Sequence, residues 1–361
     1  MKDVIIVGGG LKGMLTALFL YDAGLSVMLL DQRELGRESS WAGGGLTAPL
    51  YPWQCTPEVN TLVRYSQSHY PALCQTLQER TRIDPQWHCS GSLLLDTDKQ
   101  AMAIQWANTQ QQSFHILNNT SELQTHETQL NPSFTQGLYF PQTSQVRTPR
   151  LATALKASLR QRFIVISEHQ PVQAIHIEKG QAAGVYLGDT LLPARHVILT
   201  AGAWTNHLAE VSDLQLGIQP TMAQSIMFRT QRNFLKHIIV RDGYYLIPRQ
   251  DGRLVCGAVL QQSDFHQPLD ETARQTLSQF ARQTLPALND YPVHNHWGSF
   301  LALSNDGIPY IGEHPAIRGL YINAGHGNMG TATGLASAQL LTDLLLGQAS
   351  FTDLSPYRLD R

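Results

Sequence analysis

Val4-Ile5-Ile6-Val7 is an unbroken apolar run, and Gly8-Gly9-Gly10-Leu11-Lys12-Gly13 follows it at once. The period then changes: Leu15, Leu18 and Phe19 recur at helical spacing until Ala23-Gly24, and Ser26-Val27-Met28-Leu29-Leu30 forms a second apolar run closed by Asp31. Continuous rather than alternating runs predict strands buried on both faces, so the opening reads as strand, glycine turn, helix, strand.

The same reading predicts a helix over 57–80, with Leu62, Tyr65, Ser66, Tyr70 and Leu73 as its buried side. A strand over 92–95, a helix over 98–112 capped by Asp98, and a strand over 137–140 follow. Thr148-Pro149 opens a helix to 162, with Pro149 suited to the first turn. Short strands are expected over 163–166, 172–177, 184–187 and 190–192, then a buried one over 196–199 that runs into Thr200-Ala201-Gly202. Residues 215–229, 244–248 and 253–258 read as a separate antiparallel sheet, with Gln250-Asp251-Gly252 turning a hairpin. A helix over 270–285 stops at Pro286, a strand covers 320–323, and a helix over 331–346 ends at Gly347.

The glycine turn has a mechanical reading. Gly8 permits the tight turn, Gly10 lets a pyrophosphate approach the backbone, and Gly13 lets helix pack on strand; the helix N-terminus offers N–H groups to phosphate and Asp31 a carboxylate to a ribose. The loop Gly325-His326-Gly327-Asn328-Met329-Gly330 repeats the device before the helix at Thr331, whose positive end suits a negatively charged group.

Bulk numbers remove alternatives. At 361 residues the chain can bury a sizeable core, and its net charge of −2 offers no polyanion surface, so nucleic acid is not expected as a partner. Cys55, Cys74, Cys89 and Cys256 form no CxxC pair and read as free thiols in a cytoplasmic protein. No stretch is long and apolar enough to span a bilayer, and Asp3 with the glycines breaks any resemblance to a signal peptide.

A three-stranded meander before the Thr-Ala-Gly strand is similar to the insertion of FAD-binding rather than NAD-binding folds. The chain resembles the D-amino-acid oxidase (DAO) family of FAD-dependent enzymes, and within it the glycine oxidase branch of thiamine biosynthesis. The likeness is carried by residues 7–13, by Glu38-Ser39-Ser40-Trp41-Ala42-Gly43-Gly44-Gly45 with Pro49-Leu50-Tyr51-Pro52-Trp53, by 200–204, by 245–249 with Gly252-Arg253-Leu254, and by 306–312. It implies an α/β fold: a Rossmann-like FAD-binding domain of the glutathione-reductase type, with an inserted substrate domain on an antiparallel or mixed sheet. We divide the chain accordingly, with 1–88, 143–213 and 299–361 for FAD and 89–142 and 214–298 for substrate.

The resemblance places FAD against Gly8, Gly10, Leu11, Gly13, Asp31 and Gln32 in the first loop. It adds Ser39, Ser40, Ala42, Gly43, Gly44, Gly45 and Leu46 in the second, and Val172, Ala201, Gly202 and Trp204 in the middle of the chain. Gly325, His326, Gly327, Asn328, Met329, Gly330 and Thr331 complete the set, with His326 expected to order the loop's backbone. The implied reaction moves a hydride from the carbon beside an amine nitrogen to the flavin. The imine then hydrolyses, and oxygen or another acceptor takes the electrons, giving peroxide in the oxygen case.

In the family an arginine clamps the substrate carboxylate and a tyrosine assists; Tyr245 matches the tyrosine. Leu301 stands where the clamp arginine belongs, and Asn328 replaces a second arginine of glycine oxidases. Arg249 or Arg241 is the candidate substitute. Three functions remain open: a glycine oxidase-like amine oxidation, action on a substituted amine without a free carboxylate held through Leu301 and Phe300, and an accessory flavoprotein with a protein partner. His294 and His296 would share a strand face, but without a third ligand no metal is assigned. Lys12 is expected to face solvent.

Overall fold

In the computed structural model, residues 1–209, 214–265 and 268–361 are described. The end of the middle FAD segment, 210–213, and residues 266–267 of the substrate segment lie outside them.

The opening pattern folds as β1 (Lys2–Val7), α1 (Leu11–Asp22) and β2 (Val27–Leu30). β1 lies parallel between β2 and the strand Thr190–Leu199, with Ile5 opposite both Met28 and Val197. The sheet runs Tyr310–Glu313, Leu320–Ala324, Thr190–Leu199, β1, β2, Val165–Ser167. Period-two alternation sends Val4, Ile6 and Leu29 to one face and Ile5, Val7 and Leu30 to the other. The first face is covered by α1 and the helices Pro57–Thr81, Thr148–Gln161 and Gly330–Leu346 through Met14, Tyr70, Leu155 and Leu341. The second is covered in part by the meander strands Ala174–Glu178 and Gln181–Leu187, through Ile175 and Val185. With both faces dry, every position of the run is apolar.

Thr190–Leu199 is one strand of 10 residues, not the two expected. Its first half pairs antiparallel with Gln181–Leu187, placing Pro193 opposite Gly184, and its second half joins the parallel sheet. Pro193-Ala194-Arg195 interrupted the apolar pattern without interrupting the strand.

The second sheet also has eight strands, ordered Val293–Ser304, Ile218–Arg229, Arg253–Gln262, Tyr244–Pro248, Ile238–Arg241, Ser92–Leu94, Gly137–Phe140, His115–Leu117. It is mixed: Ile238–Arg241 and Ser92–Leu94 run parallel. The amphipathic helix Glu271–Thr284, capped by Asp270, packs Leu277 and Phe280 against Ile226, Phe228 and Cys256. Its last strand, Val293–Ser304, runs through the division expected at 298/299 and carries Leu301 into this sheet.

Local details differ from expectation in two further places. Asp98 caps nothing: it sits inside a 3-10 turn, Thr97–Lys99, and the helix proper is Gln100–Thr109. In Pro57–Thr81 the fully buried side is Val59, Leu62, Val63, Ser66, Tyr70, Cys74 and Leu77, while Tyr65 and Leu73 lie on its flank. Tyr65 stacks on Phe351 at 3.8 Å, so it is covered by the chain's last segment rather than by the sheet. All four cysteines are free, and among the described residues no helix is long and apolar enough to cross a membrane.

Candidate functional site

A cleft opens where β1 ends, and its two halves meet at Lys12, Ser39 and Ser40. One half follows the carboxyl ends of the first sheet, the position at which open α/β sheets bind ligands. It is bordered by Gly8, Gly10, Asp31, Gln32, Val172, Ala201, Gly202 and Trp204. The other half lies between the sheets, bordered by Leu11, residues 42–46, Gly327, Asn328, Met329, Gly330 and Thr331, with Tyr245 and Leu301 from the second sheet. Four sequence-assigned residues stand off this wall: Gly13, Gly325, His326 and Arg249.

The turn is built by close approach. Gly8 has φ +107, and a Cβ there would lie 2.5 Å from the Thr200 carbonyl oxygen; one on Gly13 would lie 1.9 Å from the Gly8 carbonyl oxygen. Thr200 Oγ1 donates to that same Gly8 carbonyl at 2.6 Å and fixes the turn to the neighbouring strand. Asp31 accepts from the Gly9 N–H at 2.6 Å and the Arg33 N–H at 2.7 Å. Burial raises its pKa above the ordinary value, against the pull of those two donors. Its carboxylate therefore orders the turn while still bordering the cleft. The Leu11 N–H, expected free for phosphate, donates to Ser40 Oγ at 2.8 Å and ties the second glycine-dense loop to the start of α1.

That second loop is gripped from the second sheet. Trp297 Nε1 donates to the Ala42 carbonyl at 3.0 Å, a contact the sequence did not signal. Arg249 donates to the Gly44 carbonyl at 2.6 Å, Gln145 Oε1 at 2.6 Å and the Val146 carbonyl at 3.3 Å. Only 8% exposed, with burial lowering its pKa to about 10, it points its donors into the protein rather than toward a substrate. Arg241 is no clamp either: its Nε meets Asp242 at 2.9 Å and its guanidinium lies over Phe134 and Phe280 at 5.3 and 5.1 Å. Neither arginine borders the half of the cleft between the sheets.

Tyr245 does border it. A Cβ on Gly44 would lie 2.8 Å from the Tyr245 hydroxyl, so glycine there is what lets the hydroxyl reach the loop. Burial raises the phenol's pKa despite a hydrogen bond from Ser225, leaving a neutral O–H at physiological pH. Leu301 faces the cavity opposite Thr221 of the next strand. Phe300, one residue earlier, points to the other side, 5.2 Å from Phe265 and 6.1 Å from Trp204. It borders the first half of the cleft, so the expected pairing of Leu301 with Phe300 on one substrate does not form.

His326 sits behind the last loop. Its ring nitrogens meet Asn323 Oδ1 at 2.7 Å and Thr333 Oγ1 at 2.8 Å, and burial followed by the charge of Lys12 holds it neutral. Lys12 itself is not a solvent residue. It borders both halves of the cleft, and its Nζ lies 3.2 Å from where a Cβ on Gly330 would be.

These features fit a dinucleotide carrying a flavin: a turn shaped by forbidden Cβ positions, a carboxylate at one end, and a glycine-lined chamber with a tyrosine at the other. Comparison with known proteins agrees. The chain matches the family described as DAO, FAD dependent oxidoreductase, over residues 3–344. It is 38% identical to a glycine oxidase of Pseudomonas putida over 99% of this chain and 98% of that protein, and 37% identical to one of Pseudomonas aeruginosa with the same coverage. The crystal structure of glycine oxidase from Geobacillus kaustophilus superposes with a TM-score of 0.93 at 25% identity, covering 100% of this chain and 98% of that one. The chain belongs to the DAO family of FAD-dependent oxidoreductases, and FAD is its cofactor.

Proposed function

We propose that this protein oxidises the carbon–nitrogen bond of a small amine or amino acid, and that its preferred substrate is held without an arginine–carboxylate pair. Support for the chemistry comes from the glycine oxidase relatives. The observation that carries the substrate reading is the wall of the flavin-side chamber between the sheets: among the described residues Lys12 is its single charged side chain, and it is lined by Leu301, the residue that the resemblance sets where the clamp arginine belongs. In this reading the first sheet and its helices form the cofactor body, the second sheet forms the substrate body, and the residues bordering the cleft hold FAD. The free thiols suit a cytoplasmic setting.

Bound FAD supplies the hydride acceptor. Tyr245 offers a neutral hydroxyl to a polar group of the substrate, and Leu301 excludes water and packs on an apolar substituent. Among the described residues no carboxylate borders this chamber, and in this reading the substrate amine enters already deprotonated rather than giving its proton to a protein base. The imine hydrolyses after release, and oxygen or another acceptor takes the electrons. The test is anaerobic bleaching of the flavin by a panel of glycine, sarcosine and neutral secondary amines. Bleaching by neutral amines but weakly by glycine supports the reading. Ordinary turnover of glycine restores the carboxylate substrate, and reduction by dithionite alone moves the protein to the accessory reading.

A further inference from the structure

Lys12 occupies the fifth place of the glycine turn, where its ammonium meets no hydrogen-bond or ion-pair partner among the described residues. It is not stranded at the surface: burial pushes its pKa down to about 8, and among the described residues no carboxylate offsets that cost. A cation kept in such a place without a counter-charge is expensive unless an anion joins it. Its direction is informative. The side chain leaves the first turn of α1 and runs to the first turn of the helix Gly330–Leu346: its Cδ lies 3.4 Å from where a Cβ on Gly334 would be, and its Nζ 3.2 Å from one on Gly330. Of the two halves of the cleft, Gly330 and residues 327–329 border the flavin-side chamber alone, and Gly8 and Gly10 border the other alone. The ammonium therefore sits past the pyrophosphate turn, at the positive end of a second helix.

We propose that Lys12 is a cofactor-contacting residue whose ammonium faces the pyrimidine edge of the bound flavin and stabilises the negative charge that edge takes on reduction. Two helix N-termini and one side-chain cation then converge on the same cofactor, and the side-chain cation is the part that mutation can remove. This inference rests on FAD being the cofactor and not on which amine is oxidised.

The test uses the FAD-loaded protein and sulfite, whose lone pair adds to flavin N5 and drives negative charge onto the pyrimidine edge without any substrate. Lys12→Met should weaken the sulfite adduct about tenfold, which for a two-electron couple corresponds to a potential lower by about 30 mV. Lys12→Arg, which keeps the charge, should stay near the wild type. Equal sulfite affinity in wild type and Lys12→Met overturns the proposal. If that equality comes with weaker, less salt-sensitive binding of oxidised FAD, the charge serves the pyrophosphate. Should Lys12→Met fail to keep FAD, Lys12→Gln against Lys12→Arg answers the same question, and no difference between those two also overturns it. Turnover on any amine does not enter these readings, so a wrong substrate assignment leaves them intact.

Discussion

Arg249 and Gly44 are joined by a 2.6 Å hydrogen bond that crosses from the second sheet to the loop beside the flavin-side chamber. The most buried arginine near the site is thus spent on holding backbone. Arg249→Met leaves the Gly44 and Val146 carbonyls and Gln145 Oε1 without their donor, at about 1–3 kcal/mol for each buried group left unsatisfied. We expect a lower Tm by thermal unfolding and loss of FAD from the purified protein. A variant with wild-type Tm and flavin content but no turnover would instead assign Arg249 to the substrate.

Gly10→Val tests the turn itself. The backbone tolerates a side chain there, since the first new atom would sit 3.1 Å from Ser40 Oγ, but the branch fills the approach to the turn. FAD affinity should fall about a hundredfold, or about 2.8 kcal/mol, while circular dichroism stays native. Full yellow colour in this variant would mean the pyrophosphate binds elsewhere.

Leu301→Arg, alone or with Asn328→Arg, should favour amino-acid substrates. Both positions border the chamber, so an added guanidinium can reach a carboxylate. Apparent affinity for glycine should rise about tenfold for each 1.4 kcal/mol recovered. The gain is capped where an introduced guanidinium lacks neighbours that hold its orientation. An unmodified protein that already handles glycine well would refute the reading of Leu301.

His326 sets a pH dependence. Its folded pKa lies well below the ordinary histidine value, so the unfolded chain binds a proton that the folded one refuses. The stability it contributes is complete above the unfolded pKa of about 6.5 and is lost as pH falls below it. The slope reaches up to about 1.4 kcal/mol per pH unit for one proton. Denaturant titrations at pH 7.5 and 5.5 should show this loss, and His326→Gln should reduce it. An unchanged slope in that variant would assign the acid sensitivity to the other depressed histidines, such as His88 and His196.

The sequence revealed the parts whose chemistry is local. β1, α1 and β2 were legible because a strand dry on both faces writes an unbroken apolar run and because the turn demands glycine. The strand Val293–Ser304 was not. It is the edge strand of its sheet, and His294-Asn295-His296 leave half of it without alternation. The loop residues at 39, 40, 42–46 and 327–331 do line the cleft, yet the surroundings of Lys12 and Arg249 differ from those expected. Their partners, Gly330 for one and Gly44 for the other, come from distant parts of the chain, and no periodicity records such a meeting. Phe300 was misjudged for a simpler reason: adjacent residues of a strand point to opposite sides.

The helix Gly330–Leu346 lies against α1, with Gly334 close to Leu11, and Tyr357 donates to the Glu58 carbonyl at 2.9 Å. The glycine turn is translated long before the helix that packs on it, so the cleft waits, open on one side, until Gly330–Leu346 has emerged. A truncated product that stops before that helix cannot close the chamber, so cofactor capture separates chains that carry the helix from chains that lack it.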